Sequence, residues 1–312
     1  MKLYFAPMEG VTTMHFRRVH AAMFPGADRY YAPFISPTSD HRFTPREVRE
    51  IGRKNNTGID LVPQILTKSA EDFLWCASGL ADMGYGEVNL NLGCPSATVT
   101  AKGKGAGLLR TPEALERLLD GIFAKAEIPV SIKTRIGYAA PEEWEALLAL
   151  YSRYPIAELI VHCRTREELY GGEPHRGAFS SARETLTVPL CYNGNLFTVK
   201  DVRNFEKVEP GTQGVMLGRG AAEDPALFRR LQGGAPCTRE ELRAFHDTLY
   251  EMYTAEYGRL NAMRRMKELW SCLLYRFEDA GEIRRKMMRT KDTGVFDECV
   301  AAALDRLALI DT

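Results

Sequence analysis

Residues 87–109 read EVNLNLGCPSATVTAKGKGAGLL and contain the most informative change of pattern in the chain. Val88, Leu90 and Leu92 alternate with two asparagines, which is typical of a β-strand. The alternation ends at Gly93-Cys94-Pro95, where glycine widens the allowed backbone angles and proline removes an amide donor. The stretch therefore predicts a strand that delivers a cysteine into a loop with two lysines and three further glycines.

Apolar runs that resemble strands recur along the chain, and helical patterns lie between several of them. The predicted strands are residues 3–7, 29–34, 60–65, 87–92, 129–134, 157–163, 189–192 and 214–217. Mostly apolar strands that alternate with helices predict a parallel sheet covered on its outside. Eight such repeats favour an α/β fold, a closed (β/α)8 TIM barrel, over an open doubly wound sheet.

The pattern changes after Leu231. The segment Gln232-Gly233-Gly234-Ala235-Pro236 is a cluster of chain breakers, and only helical patterns follow it. Thr238 with Glu241 three residues later predicts the capped start of a helix, and further helices are predicted at residues 263–277, 281–288 and 296–307. We therefore expect a barrel domain over residues 1–232 and an all-helical domain over residues 237–312.

Composition narrows the class of protein. The 312 residues carry a formal net charge of +0, so the total charge requires no nucleic-acid partner and any basic surface must be local. The seven cysteines include no CxxC pair and no paired Cys/His spacing, which favours a reduced cytoplasmic setting without structural zinc. The amino terminus lacks a signal-peptide pattern, and no apolar run approaches the ~20 residues of a spanning helix, so no membrane is expected.

Polar or cationic side chains follow nearly every predicted strand, at the barrel end where active sites lie. They are Met8-Glu9-Gly10, Gln64, Asn91 with Cys94, Lys133 with Arg135, His162 with Arg164, Asn193-Gly194-Asn195 and Gly218-Arg219-Gly220. The last two exits are rich in glycine and precede helices, which predicts a phosphate site with Arg219 as counter-charge. Two tight turns that need glycine would give the same pattern.

Lys133 is expected to point at the barrel axis, where an unpaired ammonium is costly to bury. A reduced, anionic flavin ring would supply the partner charge, and a neighbouring carboxylate is the alternative. Gln64 has the donor and acceptor pair suited to a pyrimidine-like ring edge. His162 can bond the same ring or a phosphate, although a histidine at a strand end is also a common structural residue.

In order along the chain, APMEGVT, VPQI, LNLGCPSATVTAKGKGAGLL, SIKTRIG, VHCRTREELYGG, YNGN and GVMLGRGA resemble the tRNA-dihydrouridine synthases. The segment RRMKELW resembles, more loosely, that family's tRNA-binding tail. The resemblance implies FMN-dependent reduction of the 5,6 double bond of a D-loop uridine in tRNA. It also implies NADPH as electron donor, with NADH left open, and we expect a monomer.

The resemblance implies roles for individual residues. Cys94 would be the proton donor, and Asn91 would lie close to the uracil. FMN would contact Pro7, Met8, Glu9, Gln64, Lys133, His162, Asn193, Gly194, Asn195, Gly218 and Arg219. The tRNA would contact Lys102, Arg135, Arg164, Arg166, Arg264, Arg265, Arg284 and Arg285. Asn195 and Thr13 stand where the family usually has aspartate.

Saturating the double bond takes a hydride on one carbon and a proton on the other. An ordinary thiol, with a pKa near ~8.5, is mainly protonated at neutral pH, so Cys94 can donate; the alternative for Cys94 is a small buried apolar residue. Two rival functions remain open. A flavin barrel acting on dihydropyrimidines or dihydroorotate would lack the helical tail, and a tRNA-binding protein without turnover would not need Cys94, Lys133 and Gln64 together.

Overall fold

A computed structural model describes residues 1–310, and a barrel of parallel strands surrounded by helices lies at its centre. The strands are β1 (Lys2–Phe5), β2 (Arg29–Tyr31), β3 (Leu61–Val62), β4 (Gln64–Ile65), β5 (Val88–Leu92), β6 (Val130–Gly137), β7 (Leu159–Thr165), β8 (Leu190–Asn193) and β9 (Gly214–Leu217). They hydrogen-bond in the order β3-β2-β1-β9-β8-β7-β6-β5-β4, each neighbouring pair parallel. The predicted TIM barrel is confirmed.

The third predicted strand, residues 60–65, is divided by Pro63 into β3 and β4. Proline has no amide hydrogen to donate to the sheet, but the Pro63 carbonyl still accepts from the Asn89 amide at 2.9 Å. β3 pairs with β2 and β4 pairs with β5. Because the chain itself joins β3 to β4, the sheet closes at this divided strand.

Helices cover the outside of the barrel. They are α1 (Met14–Met23), α2 (Pro45–Ile51), α3 (Ala70–Asp82), α4 (Ala97–Thr100), α5 (Pro112–Phe123), α6 (Trp144–Tyr151), α7 (Arg176–Thr185), α8 (Val199–Val208), α9 (Arg219–Glu223) and α10 (Leu227–Leu231). Short 3-10 helices lie at Arg53–Asn55, Gly105–Arg110, Pro141–Glu143 and Leu274–Arg276. Side-chain caps fix several helix starts, as at Ser69, whose hydroxyl accepts from the Asp72 amide at 3.2 Å.

The tail consists of α11 (Arg239–Tyr257), α12 (Arg259–Leu273), α13 (Gly281–Arg289) and α14 (Thr293–Arg306). The predicted cap is confirmed, because Thr238 and Glu241 form a capping box at the start of α11. The second tail helix begins at Arg259 and not at residue 263, since Gly258, with φ +76°, alone separates it from α11. The predicted helical domain extends to residue 312, and residues 311 and 312 lie outside the described residues.

The lower part of the barrel interior is filled by side chains. Tyr4 and Tyr31 donate hydrogen bonds to the two carboxylate oxygens of Glu158, at 3.0 and 3.3 Å, and they pack with Ile160 and Cys191. Burial raises the pKa of the Glu158 carboxyl. This layer closes one end of the barrel, so any ligand site lies at the carboxyl ends of the strands.

The tail packs directly on the barrel through α1 and α11. Phe245 lies edge-on to Phe16 and Phe24, with ring centroids 5.7 and 5.4 Å apart. The Thr13 and Tyr253 hydroxyls are 2.6 Å apart and hydrogen-bonded. One apolar core thus continues from barrel to tail, and the division into residues 1–232 and 237–312 stays a prediction.

Because Phe245 is fully buried between the two parts, we expect Phe245→Ala to lower the free energy of unfolding by about 3–5 kcal/mol. Urea denaturation checks this value. Val208→Ala, at a position 65% exposed on α8, is the control and should change stability by less than about 0.5 kcal/mol. Equal effects of the two substitutions would contradict the continuous core.

Candidate active site

One cavity of about 730 Å³ lies at the carboxyl ends of the strands. Both predicted catalytic residues and all of the predicted cofactor-binding residues line it: Asn91, Cys94, Pro7, Met8, Glu9, Gln64, Lys133, His162, Asn193, Gly194, Asn195, Gly218 and Arg219. Among the residues predicted to contact tRNA, Arg135 and Arg166 also line it. Lys102, Arg164, Arg264, Arg265, Arg284 and Arg285 do not.

Strand register aligns the polar side chains. Asn91 of β5 is paired with Lys133 of β6, and His162 of β7 with Asn193 of β8. Gln64 donates from Nε2 to Asn89 Oδ1 at 2.8 Å and accepts at Oε1 from Asn91 Nδ2 at 2.6 Å. The amide groups on neighbouring strands thereby orient one another.

The Asn91 side chain fixes the loop that carries the thiol. Its Oδ1 accepts from the backbone amides of Gly93, at 3.0 Å, and Cys94, at 2.5 Å. Since its Nδ2 donates to Gln64, both the oxygen and the nitrogen of the Asn91 side chain are hydrogen-bonded within the protein. Asn91 is therefore a positioning residue for Cys94, in addition to lining the cavity.

The glycine-rich segment behind Cys94 supports the same loop from the other side. The Ala106 amide donates to the Cys94 carbonyl at 3.0 Å. Gly105 has φ +57°, and a Cβ there would lie 2.8 Å from the Cys94 carbonyl oxygen, so glycine is required. Of the two loop lysines, Lys104 donates to Ser36 at 3.1 Å, and Lys102 is exposed to solvent.

Burial raises the pKa of the Cys94 thiol, and Glu9 adds to the effect, while Arg135 and Lys133 oppose it. The thiol is thus held protonated at neutral pH. This is the state a proton donor needs, and it differs from a nucleophilic cysteine, whose pKa is lowered.

Cationic side chains surround the inner part of the cavity. Lys133 Nζ donates to Asn193 Oδ1 at 2.9 Å, and among residues 1–310 no carboxylate forms an ion pair with it, so the carboxylate alternative is wrong. Burial, and then Arg135, lowers the pKa of Lys133 to about 7. Burial, followed by the nearby cations, also depresses the pKa of His162 well below its usual value, which keeps this ring neutral.

Two arginines predicted to face RNA instead hold loops together. Arg135 is 1% exposed and donates to the carbonyls of Gly93, Thr165 and Leu169 at 2.7–2.8 Å. Arg164 is fully buried and donates to the Gly171 and Gly172 carbonyls and to Asn195. The prediction is wrong for Arg164, because its donors are satisfied inside the protein; Arg135 braces the Cys94 loop while reaching the cavity wall.

The exits of β8 and β9 lie side by side, since these strands are paired. Asn195 adopts φ 28°, a left-handed conformation that asparagine and aspartate tolerate better than most residues. Its Oδ1 accepts from Arg164 at 3.1 Å and Arg219 at 3.2 Å. A Cβ on Gly220 would collide with the Leu196 carbonyl, so glycine here serves close packing.

The segment after β1 forms another wall. The Met8 amide donates to Thr12 Oγ1 at 2.8 Å, which turns the chain back toward α1. Thr13 caps α1 by accepting from the Phe16 amide, so threonine performs the capping role at a position where the family usually has aspartate. Glu9 reaches outward and pairs with Arg46 at 3.1 Å.

Several cavity residues were not predicted. Tyr170 and Phe197 flank Arg219, whose guanidinium carbon is 5.2 Å from each ring centroid. Glu268, Ser271 and Cys272 come from α12 in the tail. Their spacing marks one helix face, but the sequence does not indicate which face of α12 turns toward the barrel.

The remaining predicted RNA-contacting cations lie outside the main cavity. Arg264 and Arg285 are exposed. Arg265 stacks over the Tyr257 ring at 4.1 Å, and Arg284 lies 3.9 Å from the Tyr275 centroid while donating to the Ser271 carbonyl. Arg166 bonds Thr100 on the Cys94 side of the cavity, at 3.5 Å.

Residues 1–310 contain neither a metal-binding cluster nor a membrane-spanning helix. No group of three or more His, Cys, Asp or Glu side chains in that part of the chain is arranged to hold a metal ion. No helix among the described residues is long and apolar enough to cross a membrane.

The raised pKa of Cys94 gives an expectation for thiol chemistry. Iodoacetamide reacts with the thiolate, so the rate of Cys94 alkylation should rise with pH through a midpoint above the ordinary thiol pKa of about 8.5. Mass spectrometry of labelled peptides measures it, and Cys94→Ala should lose the label. A midpoint below about pH 8.5 would show that the loop lowers the pKa of the thiol and so activates it.

The lowered pKa of Lys133 gives an expectation for stability. In the unfolded chain this amine stays protonated up to about pH 10.4, but in the folded protein only up to about pH 7. Between these values the unfolded state binds more protons, so folding becomes more favourable as pH rises.

Lys133→Met should therefore stabilise the protein at pH 7 by on the order of 2 kcal/mol, less than the full shift because the cavity is open to water. The gain should shrink toward pH 10. Urea denaturation at several pH values measures it, with exposed Lys125→Met as the control. If the Lys133→Met protein is no more stable than the parent at pH 7, burial of the Lys133 ammonium does not destabilise the folded protein.

Comparison with known proteins agrees with this geometry. Residues 4–308 match the family model of dihydrouridine synthase (Dus). The chain is 30% identical to a probable tRNA-dihydrouridine synthase of Staphylococcus epidermidis over 92% of its length and 88% of that protein. It is also 30% identical to probable tRNA-dihydrouridine synthase 2 of Bacillus subtilis, over 96% of its length and 92% of the relative.

Solved structures agree on the fold. Morphinone reductase superposes with a TM-score of 0.55 over 76% of this chain and 87% of that one, at 12% identity. Such low identity supports the barrel alone. The family match covers nearly the whole chain and confirms the resemblance found in the sequence: this protein belongs to the dihydrouridine synthase family.

Proposed function

We propose that this chain is an FMN-dependent tRNA-dihydrouridine synthase, which reduces the 5,6 double bond of a D-loop uridine in tRNA with NADPH as electron donor. The observation that carries the proposal is that Cys94, Lys133 and Gln64 line the same cavity, where burial raises the pKa of the Cys94 thiol. The cavity lies at the barrel end where TIM-barrel enzymes react, in a chain of the dihydrouridine synthase family.

The cavity suits an anionic ring ligand with a phosphate. Its volume of about 730 Å³ is that of a cofactor site. Lys133 uses one of its three hydrogens on Asn193, and no ion pair among residues 1–310 involves Lys133 or Arg219. These uncompensated charges favour a negatively charged occupant.

Two groups of residues would hold FMN. Those at the strand ends, Pro7, Met8, Glu9, Gln64, Lys133 and His162, would contact the ring. Those at the β8 and β9 exits, Asn193, Gly194, Asn195, Gly218 and Arg219, would hold the ribityl chain and phosphate. Because the pKa of Lys133 lies near 7 without a ligand, an anionic ring beside it would raise that pKa and hold the ammonium charged.

A bound, reduced flavin would supply the hydride for one carbon of the uracil double bond. Cys94 Sγ would give its proton to the other carbon, and the raised pKa of the thiol keeps that proton in place until transfer. Asn91 and Arg135 hold the loop that presents the sulfur. Burial makes the resulting thiolate short-lived, which favours rapid reprotonation.

A uridine stacked in folded tRNA must be drawn out to reach this cavity. The unstacking costs a few kcal/mol, on the order of what several phosphate contacts return. Lys102, Arg166, Arg264, Arg265, Arg284 and Arg285 are the surface or rim cations that would supply them. A monomeric enzyme in the cytoplasm, with NADPH preferred over NADH, remains our prediction for the working state.

The decisive experiment is nucleoside mass spectrometry on tRNA from a synthase-deficient strain, incubated with this protein, FMN and NADPH. We expect dihydrouridine with the parent protein and at least about a 100-fold lower rate with Cys94→Ala, because general acid catalysis contributes that much. Flavin content should be the same in both proteins.

Cys237→Ala is the matched control, because Cys237 lies outside the cavity, in the segment before α11, and should leave the rate unchanged. Full activity of Cys94→Ala would refute the proton-donor role. Reduction of free uridine or dihydroorotate chemistry in place of tRNA reduction would refute the tRNA substrate and favour a small-molecule reductase.

A further inference from the structure

A second cavity, of about 350 Å³, adjoins the main one. It is lined by Gly10, Tyr257, Asn261, Arg264, Arg265 and Glu268. Glu268 of α12 lines both cavities, and Gly10 directly follows Glu9, which lines the main one. The two cavities therefore share a wall at the rim of the barrel, between the β1 exit and the tail.

Arg264 brings an oriented and uncompensated positive charge to this second cavity. It is exposed, and its Nη1 donates to Asn261 Oδ1 at 3.2 Å. Asn261 is itself fixed, since its Nδ2 donates to the Tyr257 carbonyl at 3.1 Å. Neither Arg264 nor Arg265 takes part in an ion pair with any carboxylate among residues 1–310.

Arg265 supplies a flat surface in the same cavity. Its guanidinium carbon is 4.1 Å from the centroid of the Tyr257 ring and 5.9 Å from that of Tyr253. The Arg265 side chain lines the second cavity, and RNA bases stack on guanidinium planes of this kind. Because the stack already restricts the Arg265 side chain, less conformational entropy is lost when a ligand binds.

Glu268 places a carboxylate at the wall that the two cavities share. A carboxylate at their common wall repels phosphate, so a phosphate is favoured on the Arg264 side and disfavoured at the wall. An uncharged base carries no such penalty and can pass into the main cavity. The arrangement suits an RNA strand that leaves one base in the main cavity and places a phosphate and base beside it.

We propose that the second cavity binds the nucleotide that adjoins the reduced uridine in the RNA chain. Its phosphate lies at Arg264, and its base stacks on Arg265. This inference rests on the proposed function, because it requires the uridine to occupy the main cavity. It adds a binding site for a second, neighbouring base, which is read by stacking and therefore tolerates different bases.

The test uses the full-length protein with FMN and NADPH and three tRNA transcripts. Mass spectrometry first locates the uridine that the parent protein reduces. One transcript is intact, and the other two lack the base on the 5′ side or on the 3′ side of that uridine. Dihydrouridine formation gives kcat and KM for the parent, Arg264→Ala, Arg265→Ala and the control Arg117→Ala, which removes an exposed arginine on α5 outside both cavities.

For the parent protein, loss of one of the two bases should lower kcat/KM by about 5- to 100-fold, the contribution of one stacked base. Arg265→Ala should lower kcat/KM by a similar factor on the intact transcript and show no further loss on that abasic transcript. Arg264→Ala should raise KM on every transcript and change kcat less than about twofold, because phosphate contacts position the strand. Arg117→Ala should match the parent throughout.

Two results would overturn the second site while leaving the proposed function intact. In one, the effects of Arg265→Ala and base removal multiply, which means that they act independently. In the other, neither abasic transcript is a poorer substrate than the intact one. If the parent forms no dihydrouridine on the intact transcript, the proposed function itself fails, and this inference fails with it.

Discussion

The Asn91 side chain joins the rigid barrel to its reactive loop, and the rest of the site depends on that junction. One amide accepts from the Gly93 and Cys94 backbone and donates to Gln64. Gln64 in turn bonds Asn89, which bonds Ser131. The sulfur position is thus set by a chain of side-chain hydrogen bonds, three amides and one hydroxyl, across three neighbouring strands, and buried networks of this kind are rigid when every member is satisfied.

The cavity is also shaped by a charge imbalance. Lys133, Arg135, Arg164 and Arg219 lie near one another around a neutral His162, and the carboxylate inside the barrel, Glu158, is bonded by Tyr4 and Tyr31 instead. Cations kept close together without counter-charges destabilise an empty protein. Binding of an anion removes this cost, so an anionic cofactor is expected to stabilise the folded protein.

Sequence patterns were sufficient for the barrel and for most of the cavity wall. Strand exits such as Asn193-Gly194-Asn195 are recognisable because parallel strands bring their carboxyl ends together. The burial of Arg164 was not predictable, because its carbonyl partners at Gly171 and Gly172 lie in a loop whose path depends on tertiary packing. The contribution of Glu268, Ser271 and Cys272 to the cavity wall was also not predictable, because helical periodicity identifies the faces of a helix but not the element that each face contacts.

The participation of α12 in the cavity wall has an evolutionary consequence. The groups that hold the sulfur and surround the cofactor site belong to the barrel, whereas part of the rim belongs to a helix encoded more than a hundred residues after Cys94. Substitutions on that helix can change which ligands fit at the entrance while the groups around Cys94 stay unchanged. The reacting groups and the shape of the cavity entrance can therefore evolve independently within one polypeptide.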